Sequence, residues 1–202
     1  MSDANTVYVH SVETLGALDG PGLRYVVFFT GCPLRCIYCH NPDTQHINDG
    51  KPMQAGELVA DILHYKHYLQ NGGVTLSGGE PLFQPEAAHT LLQMLKREGL
   101  HTALDTAGSV DTRLSAPALR EADLVLLDIK ALDDSLCRAI TANSAQNTLR
   151  TLKFLNEIEK PVWIRHVLLP GYTLNERRLS HLAKFLTQFD CIEKVELLPF
   201  HK

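Results

Sequence analysis

Short runs of branched and aromatic apolar residues alternate with stretches of helical spacing along this chain. The runs have the length of buried strands, and no run is directly followed by another. Strands that are buried on both faces and alternate with helices form a parallel sheet with the helices outside it. The six predicted strands cover residues 24–30, 73–76, 101–104, 124–129, 162–168 and 195–198.

Chain length limits how far such a sheet can close. A complete eight-stranded barrel of this type takes about 250 residues, whereas this chain has 202. We therefore expect an α/β fold that forms an incomplete, TIM-like (β/α)6 barrel with parallel strands and outer helices. No repeat, low-complexity tract or linker divides the sequence, so residues 1–202 are expected to form a single domain.

Four stretches between the runs carry apolar residues at the spacing of one helix face. Pro85 suits the first turn of the second of these helices, and Gly99 suits the position just past its end. The apolar stripes are Leu58, Ile62 and Leu69; Ala88, Leu91, Leu92 and Leu95; Leu149, Leu152 and Leu155; and Leu179, Leu182 and Leu186.

Polar residues cluster directly after the predicted strands. In α/β proteins the carboxyl ends of parallel strands face one ligand-binding rim, so these residues are expected to converge there. They are Cys32 after the first strand, Gly78, Gly79 and Glu80 after the second, Asp105 and Thr106 after the third, Asp128 and Lys130 at the end of the fourth, and His201 after the sixth.

Composition excludes several classes of protein. The net charge is −4 and the basic residues are scattered, which is unlike a nucleic-acid-binding surface. No apolar run reaches the length of a membrane span, and the first residues lack the basic and apolar regions of a signal peptide. We expect a cytoplasmic monomer without nucleic-acid or membrane partners.

Three of the five cysteines lie on one short loop with the spacing C-x3-C-x2-C, at Cys32, Cys36 and Cys39. A cytosolic protein keeps such thiols reduced, which favours metal binding or catalysis. An iron–sulfur cube normally takes one cysteine per iron, so three thiolates would leave one iron open to a substrate. Structural zinc is the alternative, but it takes four ligands, and His40 adjoins Cys39 too closely to complete the usual geometry.

The spacing C-x3-C-x-aromatic-C resembles the signature of the radical S-adenosylmethionine (radical SAM) superfamily. The resemblance implies a 4Fe–4S cluster on the three cysteines and an open iron that binds the amino and carboxylate groups of S-adenosylmethionine. The reduced cluster would then cleave this cofactor into methionine and a 5′-deoxyadenosyl radical. It also implies that Tyr38 lies against the adenine and that the segment Tyr38, Cys39 and His40 contacts it.

Further segments extend this resemblance along the rim. Gly78-Gly79-Glu80-Pro resembles the motif that holds the methionine amino group, where paired glycines let a backbone approach a ligand. The run DLVLLDIK resembles the pyruvate formate-lyase activating enzymes, as do the segments Trp163-Ile-Arg165 and LLPFH. This implies cofactor contacts for Asp128, Ile129, Lys130 and His201, and a monovalent cation at Asp105, Thr106 and Asp128. The resemblance assigns no firm role to Arg165.

The segment DGPGLR at residues 19–24 resembles a motif that is typical of one branch of the superfamily. Its residue types also suit a simple turn, but activating enzymes of glycyl-radical enzymes carry the same motif. The resemblance implies that Asp19 helps to hold the partner's target glycine loop. No cysteine-rich insertion follows the cysteine loop, which favours the pyruvate formate-lyase type. The family's C-terminal segment beyond LLPFH is expected to be absent.

The resemblance implies an oxidoreductase that creates a glycyl radical on a partner, with formate acetyltransferase favoured. Reduced flavodoxin or a similar donor would supply one electron, and the radical and cluster imply an anaerobic setting. One alternative is an activase for another glycyl-radical enzyme, such as anaerobic ribonucleotide reductase. Others are a small radical enzyme acting on a free metabolite, or a zinc- or cluster-bearing binding module.

Overall fold

The computed structural model describes residues 4–200, which form one eight-stranded sheet with six helices. The strands are β1 (Thr6–Gly16), β2 (Arg24–Phe29), β3 (Lys51–Gln54), β4 (Gly73–Gly78), β5 (Thr102–Thr106), β6 (Leu124–Asp128), β7 (Val162–Leu168) and β8 (Ile192–Pro199). The helices are α1 (Ala55–Leu63), α2 (Pro85–Arg97), α3 (Thr112–Glu121), α4 (Asp134–Thr141), α5 (Gln146–Glu157) and α6 (Glu176–Leu186). None of these helices has the length and apolar character needed to cross a membrane.

The sheet is an open partial barrel. Its strand order is β3-β1-β2-β4-β5-β6-β7-β8, so β3 and β8 stand at opposite ends. The strands from β2 through β4 to β8 are parallel, with helical crossovers between them. β1 is antiparallel to both β2 and β3. The predicted α/β fold with an incomplete six-unit barrel is therefore confirmed, and each predicted strand corresponds to one of the six parallel strands.

The antiparallel strands β1 and β3 were not predicted from the sequence. β1 buries Val7 and Val9 but exposes most of its second half, so it lacks the continuous apolar run of a central strand. β3 has four residues, three of them exposed. β1 pairs with the side of β2 that would otherwise be an unpaired edge, and β3 pairs with the other side of β1.

The predicted helical stripes correspond to α1, α2, α5 and α6. Pro85 begins α2, and Gly99 follows its cap with a φ of +72°, a backbone conformation that glycine adopts without strain. Leu69 lies beyond the end of α1 but is buried in the same core. The sequence pattern missed α3, which contains Pro117, and the eight-residue α4.

The two faces of the sheet differ in chemistry. Outward side chains such as Tyr25, Val27 and Phe29 join the helices in the main apolar core. Because side chains alternate along a strand, their neighbours point into the barrel. A small apolar cluster of Ala103, Leu124 and Leu126 lies inside, with Trp163 against it. On β5, β6 and β7, the next inward side chains toward the end of each strand are Asp105, Asp128 and Arg165. These polar side chains lie at the rim where the parallel strands end.

Candidate functional site

The three motif cysteines lie on the loop that follows β2. Cys32, Cys36 and Cys39 are free thiols and are partly exposed. On one side of the loop, the Cys32 amide donates to the Gln45 carbonyl at 3.0 Å. The loop backbone is therefore tied to the chain that follows it, while its thiols remain accessible.

The other side of the cysteine loop is bonded to the end of α4. The amides of Arg35 and Ile37 donate to the carbonyls of Thr141 and Ile140, at 2.8 and 2.9 Å. The last carbonyls of a helix have no partner within it, so a neighbouring loop can satisfy them. The residue that follows, Ala142, has a φ of +59° and ends the helix at this point.

Tyr38 anchors the loop to a second apolar cluster. Its side chain is buried with Cys137, Ile140 and Leu169. The Lys130 ammonium lies 5.8 Å from the centre of the Tyr38 ring, within the range of a cation–π interaction. The sequence motif thus places one aromatic residue beneath the cysteines and beside the end of β6.

Burial governs the chemistry of the motif thiols. Burial raises the pKa of Cys32 to about 12 and raises that of Cys36, which Lys130 partly opposes. Metal binding deprotonates such thiols. Within residues 4–200, no three His, Cys, Asp or Glu side chains converge as a single metal ion requires. A cube instead takes one thiolate per iron, so this set fits a cluster better than it fits zinc.

Gly78 and Gly79 fix the approach of β4 to the cysteine loop. Gly78 has a φ of +110°, and a Cβ there would lie 2.3 Å from the Phe29 amide nitrogen. A Cβ on Gly79 would lie 2.6 Å from the Gly31 carbonyl oxygen. The close approach that these glycines permit is to the protein's own backbone. A contact of Gly78 or Gly79 with a cofactor stays a prediction.

Glu80 is fully buried and bonded within the protein. Its carboxylate accepts hydrogen bonds from the Leu82 amide at 3.1 Å, the Thr106 hydroxyl at 2.5 Å and the Ala107 amide at 3.0 Å. Burial raises the pKa of Glu80, while these donors oppose the shift. The side chain joins the end of β4 to the end of β5, and a cofactor contact through it stays a prediction.

Asp105 and Asp128 end neighbouring strands on the inner face. Asp105 accepts from the Ser77 hydroxyl at 2.8 Å, and burial raises its pKa to about 6 although Arg165 opposes the shift. Asp128 Oδ2 lies 2.7 Å from the Lys130 ammonium. Asp128 Oδ1 is buried, with no hydrogen-bond partner in the described part of the chain. A bound ligand or cation could supply the partner that this orphaned oxygen lacks.

Lys130 remains positively charged in this setting. Burial would lower its pKa, but Asp128 and Tyr38 outweigh that effect and raise the pKa well above its ordinary value. Ile129, which lies between Asp128 and Lys130 in the sequence, is buried. Its carbonyl accepts a hydrogen bond from His166 Nδ1 at 2.6 Å. The cation is therefore held at a fixed position beside the cysteine loop.

Arg165, to which the sequence assigned no firm role, connects several carboxylates near the rim. Its guanidinium Nη1 lies 3.2 Å from Asp105 and 3.8 Å from Asp19, and Nε lies 3.4 Å from Glu196. Its Nη2 donates to the Leu18 carbonyl at 2.8 Å. Burial lowers the pKa of Arg165, but the carboxylates outweigh it and the pKa is raised. The residue connects the loop that carries Asp19 to the rim.

The structure brings most of the predicted site residues to one rim. Tyr38 and Lys130 are in ring contact beside the cysteines, and Asp105 and Asp128 end adjacent strands. The His40 side chain is exposed. His201, predicted to contact the cofactor, lies outside the described residues.

Comparison with known proteins agrees with this architecture. The family model described as "Radical SAM superfamily" matches residues 26–183. The chain belongs to the radical SAM superfamily, which uses a 4Fe–4S cluster and S-adenosylmethionine. Its relatives of known name indicate which branch of this superfamily the chain belongs to.

A pyruvate formate-lyase-activating enzyme of Clostridium pasteurianum is 46% identical over 195 residues, which cover 96% of this chain and 82% of the relative. The enzyme of the same name from Staphylococcus aureus (strain USA300) is 44% identical, covering 96% of this chain and 81% of the relative. Within the superfamily, this chain thus belongs to the pyruvate formate-lyase-activating enzymes.

Solved structures share the fold. A domain of the pyruvate formate-lyase-activating enzyme from Bacteroides vulgatus ATCC 8482 has a TM-score of 0.60 and 30% identity, covering 65% of this chain and 82% of that one. Streptococcus suis SuiB bound to the precursor peptide SuiA has a TM-score of 0.74 but 18% identity, covering 89% and 40%. The second likeness concerns the fold alone.

Replacing Glu80 should destabilise the protein even without cofactors. We expect Glu80→Ala to lower the free energy of unfolding by about 3–5 kcal/mol, because several buried donors lose their acceptor together. Denaturant unfolding of the cofactor-free protein measures this. The exposed Glu157 is the control, and Glu157→Ala should change stability by less than about 0.5 kcal/mol. Equal stability of the two variants would contradict a structural role for Glu80.

Proposed function

We propose that this protein creates a glycyl radical on a glycyl-radical enzyme, and that the partner is formate acetyltransferase. The observation that carries the proposal is 46% identity, over 96% of this chain, to an enzyme named for activating pyruvate formate-lyase. The arrangement of the rim supports it, because a thiol-bearing loop, a buried cation and an orphaned carboxylate oxygen lie together there.

We further propose that Cys32, Cys36 and Cys39 hold the 4Fe–4S cluster. The proposed cofactor-binding residues are Tyr38, Cys39, His40, Gly78, Gly79, Glu80, Asp105, Asp128, Ile129, Lys130 and His201. When bound, the cluster and S-adenosylmethionine supply the 5′-deoxyadenosyl radical that removes a hydrogen atom. Residues 1–202 form one radical SAM core domain in this proposal.

The side chains of the rim orient and shield rather than transfer protons. Lys130 offers a buried positive charge to a carboxylate, and Tyr38 supports the adjacent loop. A hydrogen atom leaves the partner's glycine Cα with its electron, so no side-chain base is required. One electron and one S-adenosylmethionine are consumed for each glycyl radical, and methionine and 5′-deoxyadenosine are released. We propose reduced flavodoxin or a similar protein as donor, and a cytoplasmic, monomeric enzyme.

Anaerobic electron paramagnetic resonance tests this function. Mixing the cluster-loaded protein with S-adenosylmethionine, a one-electron donor and formate acetyltransferase should give a glycyl-radical signal on the partner. Cys36→Ala should abolish the signal and the bound iron, because a cube cannot lose one of its three thiolates and remain held.

The control is Cys191→Ala, since Cys191 is buried in the main core, away from the motif loop. It should retain iron and signal. If the wild-type protein cleaves S-adenosylmethionine yet leaves no radical on formate acetyltransferase, that partner is wrong, and anaerobic ribonucleotide reductase is the next partner to test.

Asp19 is proposed to hold the partner's glycine loop rather than the cofactor. Its carboxylate is largely buried, lies 3.8 Å from Arg165, and belongs to the loop between β1 and β2 rather than to the cysteine loop. We expect Asp19→Ala to reduce glycyl-radical formation by at least about tenfold, the equivalent of one lost interaction with a charged group. Slow cleavage of S-adenosylmethionine without partner should change by less than twofold.

Radical yield and methionine release, measured in the same anaerobic samples, separate the two effects. Asp49→Ala is the control, because Asp49 is an exposed aspartate outside the barrel interior. Equal loss of both activities in Asp19→Ala would instead assign Asp19 to the cofactor site or to the fold.

We also propose a monovalent cation at Asp105, Thr106 and Asp128. The buried and unpartnered Asp128 Oδ1 supports this, since burying a charged oxygen without a partner is costly. The Thr106 hydroxyl already donates to Glu80. A cation at this site therefore depends chiefly on the two carboxylates.

Thermal unfolding of the cofactor-free protein tests the cation. Replacing tetramethylammonium chloride by KCl at equal ionic strength should raise the Tm by roughly 2–4 °C, which corresponds to about 1 kcal/mol of binding. Asp128→Asn should lose this response, whereas Asp190→Asn, at an exposed position, should keep it. A response that survives in Asp128→Asn would exclude the site.

A further inference from the structure

Arg24, the last residue of the DGPGLR segment, is fully buried at the start of β2. Its guanidinium Nη1 donates to the Pro21 carbonyl at 3.1 Å, and Nη2 donates to the Val74 carbonyl at 2.6 Å. Its Nε donates to the Thr75 hydroxyl at 2.5 Å. These partners are neutral, and burial lowers the pKa of Arg24 to about 10. Burying a cation is costly, and these hydrogen bonds, together with the charges of Asp19 and Asp123, offset part of that cost.

Thr75 passes this interaction on to Asp19. A guanidinium nitrogen can only donate, so the Thr75 hydroxyl oxygen must accept from Arg24 and direct its own hydrogen elsewhere. That hydrogen goes to the Asp19 backbone carbonyl, at an oxygen–oxygen distance of 2.6 Å. The two hydrogen bonds therefore run in one direction: Arg24 donates to Thr75, and Thr75 donates to Asp19.

The glycines of the segment pack the loop against these hydrogen-bonded residues. Gly20 has a φ of +124°, and a Cβ there would lie 2.9 Å from Arg24 Cδ. Gly22 has a φ of +69°, and a Cβ there would lie 1.9 Å from the Asn71 carbonyl oxygen. The loop can lie this close to Arg24 and β4 because both positions lack a side chain.

The loop is held from two sides. Thr75 bonds the Asp19 carbonyl, and Arg165 bonds the preceding carbonyl of Leu18. With its backbone fixed at both residues, the Asp19 carboxylate is directed toward Arg165 inside the barrel. The position of this carboxylate thus depends on Arg165, which also bonds Asp105 at the rim, and on Thr75, which belongs neither to the cysteine loop nor to the rim.

We propose that Arg24 and Thr75 are positioning residues for the partner's glycine loop, acting through the Asp19 backbone. This inference rests on the proposed function, because it requires Asp19 to bind that loop. Arg24 donates a hydrogen bond that orients the Thr75 hydroxyl, and this hydroxyl holds the Asp19 backbone in place. The Asp19 carboxylate then binds the partner's glycine loop. Loss of either hydrogen bond in the Arg24, Thr75 and Asp19 series weakens binding of the partner and leaves the cofactor site intact.

Substitution at Thr75 tests the proposal. Thr75→Val keeps the shape but removes the hydroxyl, and it should raise the KM for formate acetyltransferase by about tenfold, as expected for one lost hydrogen bond to a charged group. Partner-independent cleavage of S-adenosylmethionine should stay within twofold of wild type. Thr75→Ser keeps the hydroxyl and should restore the wild-type KM.

Thr102→Val is the matched control. Thr102 is also a fully buried strand threonine, but its hydroxyl donates to Asp123 at 2.9 Å and not to the DGPGLR segment. It should leave the KM unchanged. Hydrogen exchange of the cofactor-free proteins gives a second readout: amides in residues 17–23 should exchange about tenfold faster in Thr75→Val, and not in Thr102→Val.

The outcomes separate the inference from the proposed function. If wild-type protein forms no glycyl radical on formate acetyltransferase, the proposed function fails first. If Asp19→Ala weakens radical formation but Thr75→Val leaves both KM and exchange unchanged, the positioning role is overturned. Should Thr75→Val not fold, Gly20→Ala disturbs the same loop where it packs against Arg24, and an unchanged KM in that variant overturns the proposal.

Discussion

The buried carboxylate of Glu80 is the interaction on which the rim depends. It accepts hydrogen bonds from the turn after β4 and from the chain after β5, so two strand ends keep a fixed separation. The neighbouring Gly79 brings the same turn against Gly31 at the start of the cysteine loop. The cysteines follow β2, Asp105 lies near the end of β5, and Asp128 and Lys130 lie at the end of β6. The contacts of Glu80 and Gly79 help to hold these separate segments in one surface.

The fold could be predicted largely because its central strands are buried on both faces. Such strands are continuous apolar runs, and each of the six runs proved to be a parallel strand. β1 and β3 escaped prediction because much of β1 and most of β3 is exposed, so polar residues interrupt the apolar pattern in both strands. α3 escaped because Pro117 argues against a helix interior, and α4 because eight residues hold too few repeats of the helical spacing.

The site was predictable where its information is local. The spacing of Cys32, Cys36 and Cys39 can be read within one loop, whereas the role of Arg165 depends on Asp105, sixty positions away. The sequence predicted Glu80 as a ligand contact, but it could not reveal that protein donors surround its carboxylate. Contacts between distant side chains depend on how the strands pair, and the spacing of residues along the sequence does not predict that pairing.

The bonding of the cysteine loop to α4 has a consequence for damage and repair. The amides of Arg35 and Ile37 bond to the carbonyls that end α4 without help from any metal, so loss of the proposed cluster to oxygen would not break these bonds. Tyr38 likewise remains packed in its apolar cluster. An emptied loop of this kind has already lost most of its conformational freedom, so rebuilding the cofactor demands little reordering of the chain. The same fixed loop would therefore suit both the loss of the proposed cluster in air and its replacement when air is removed.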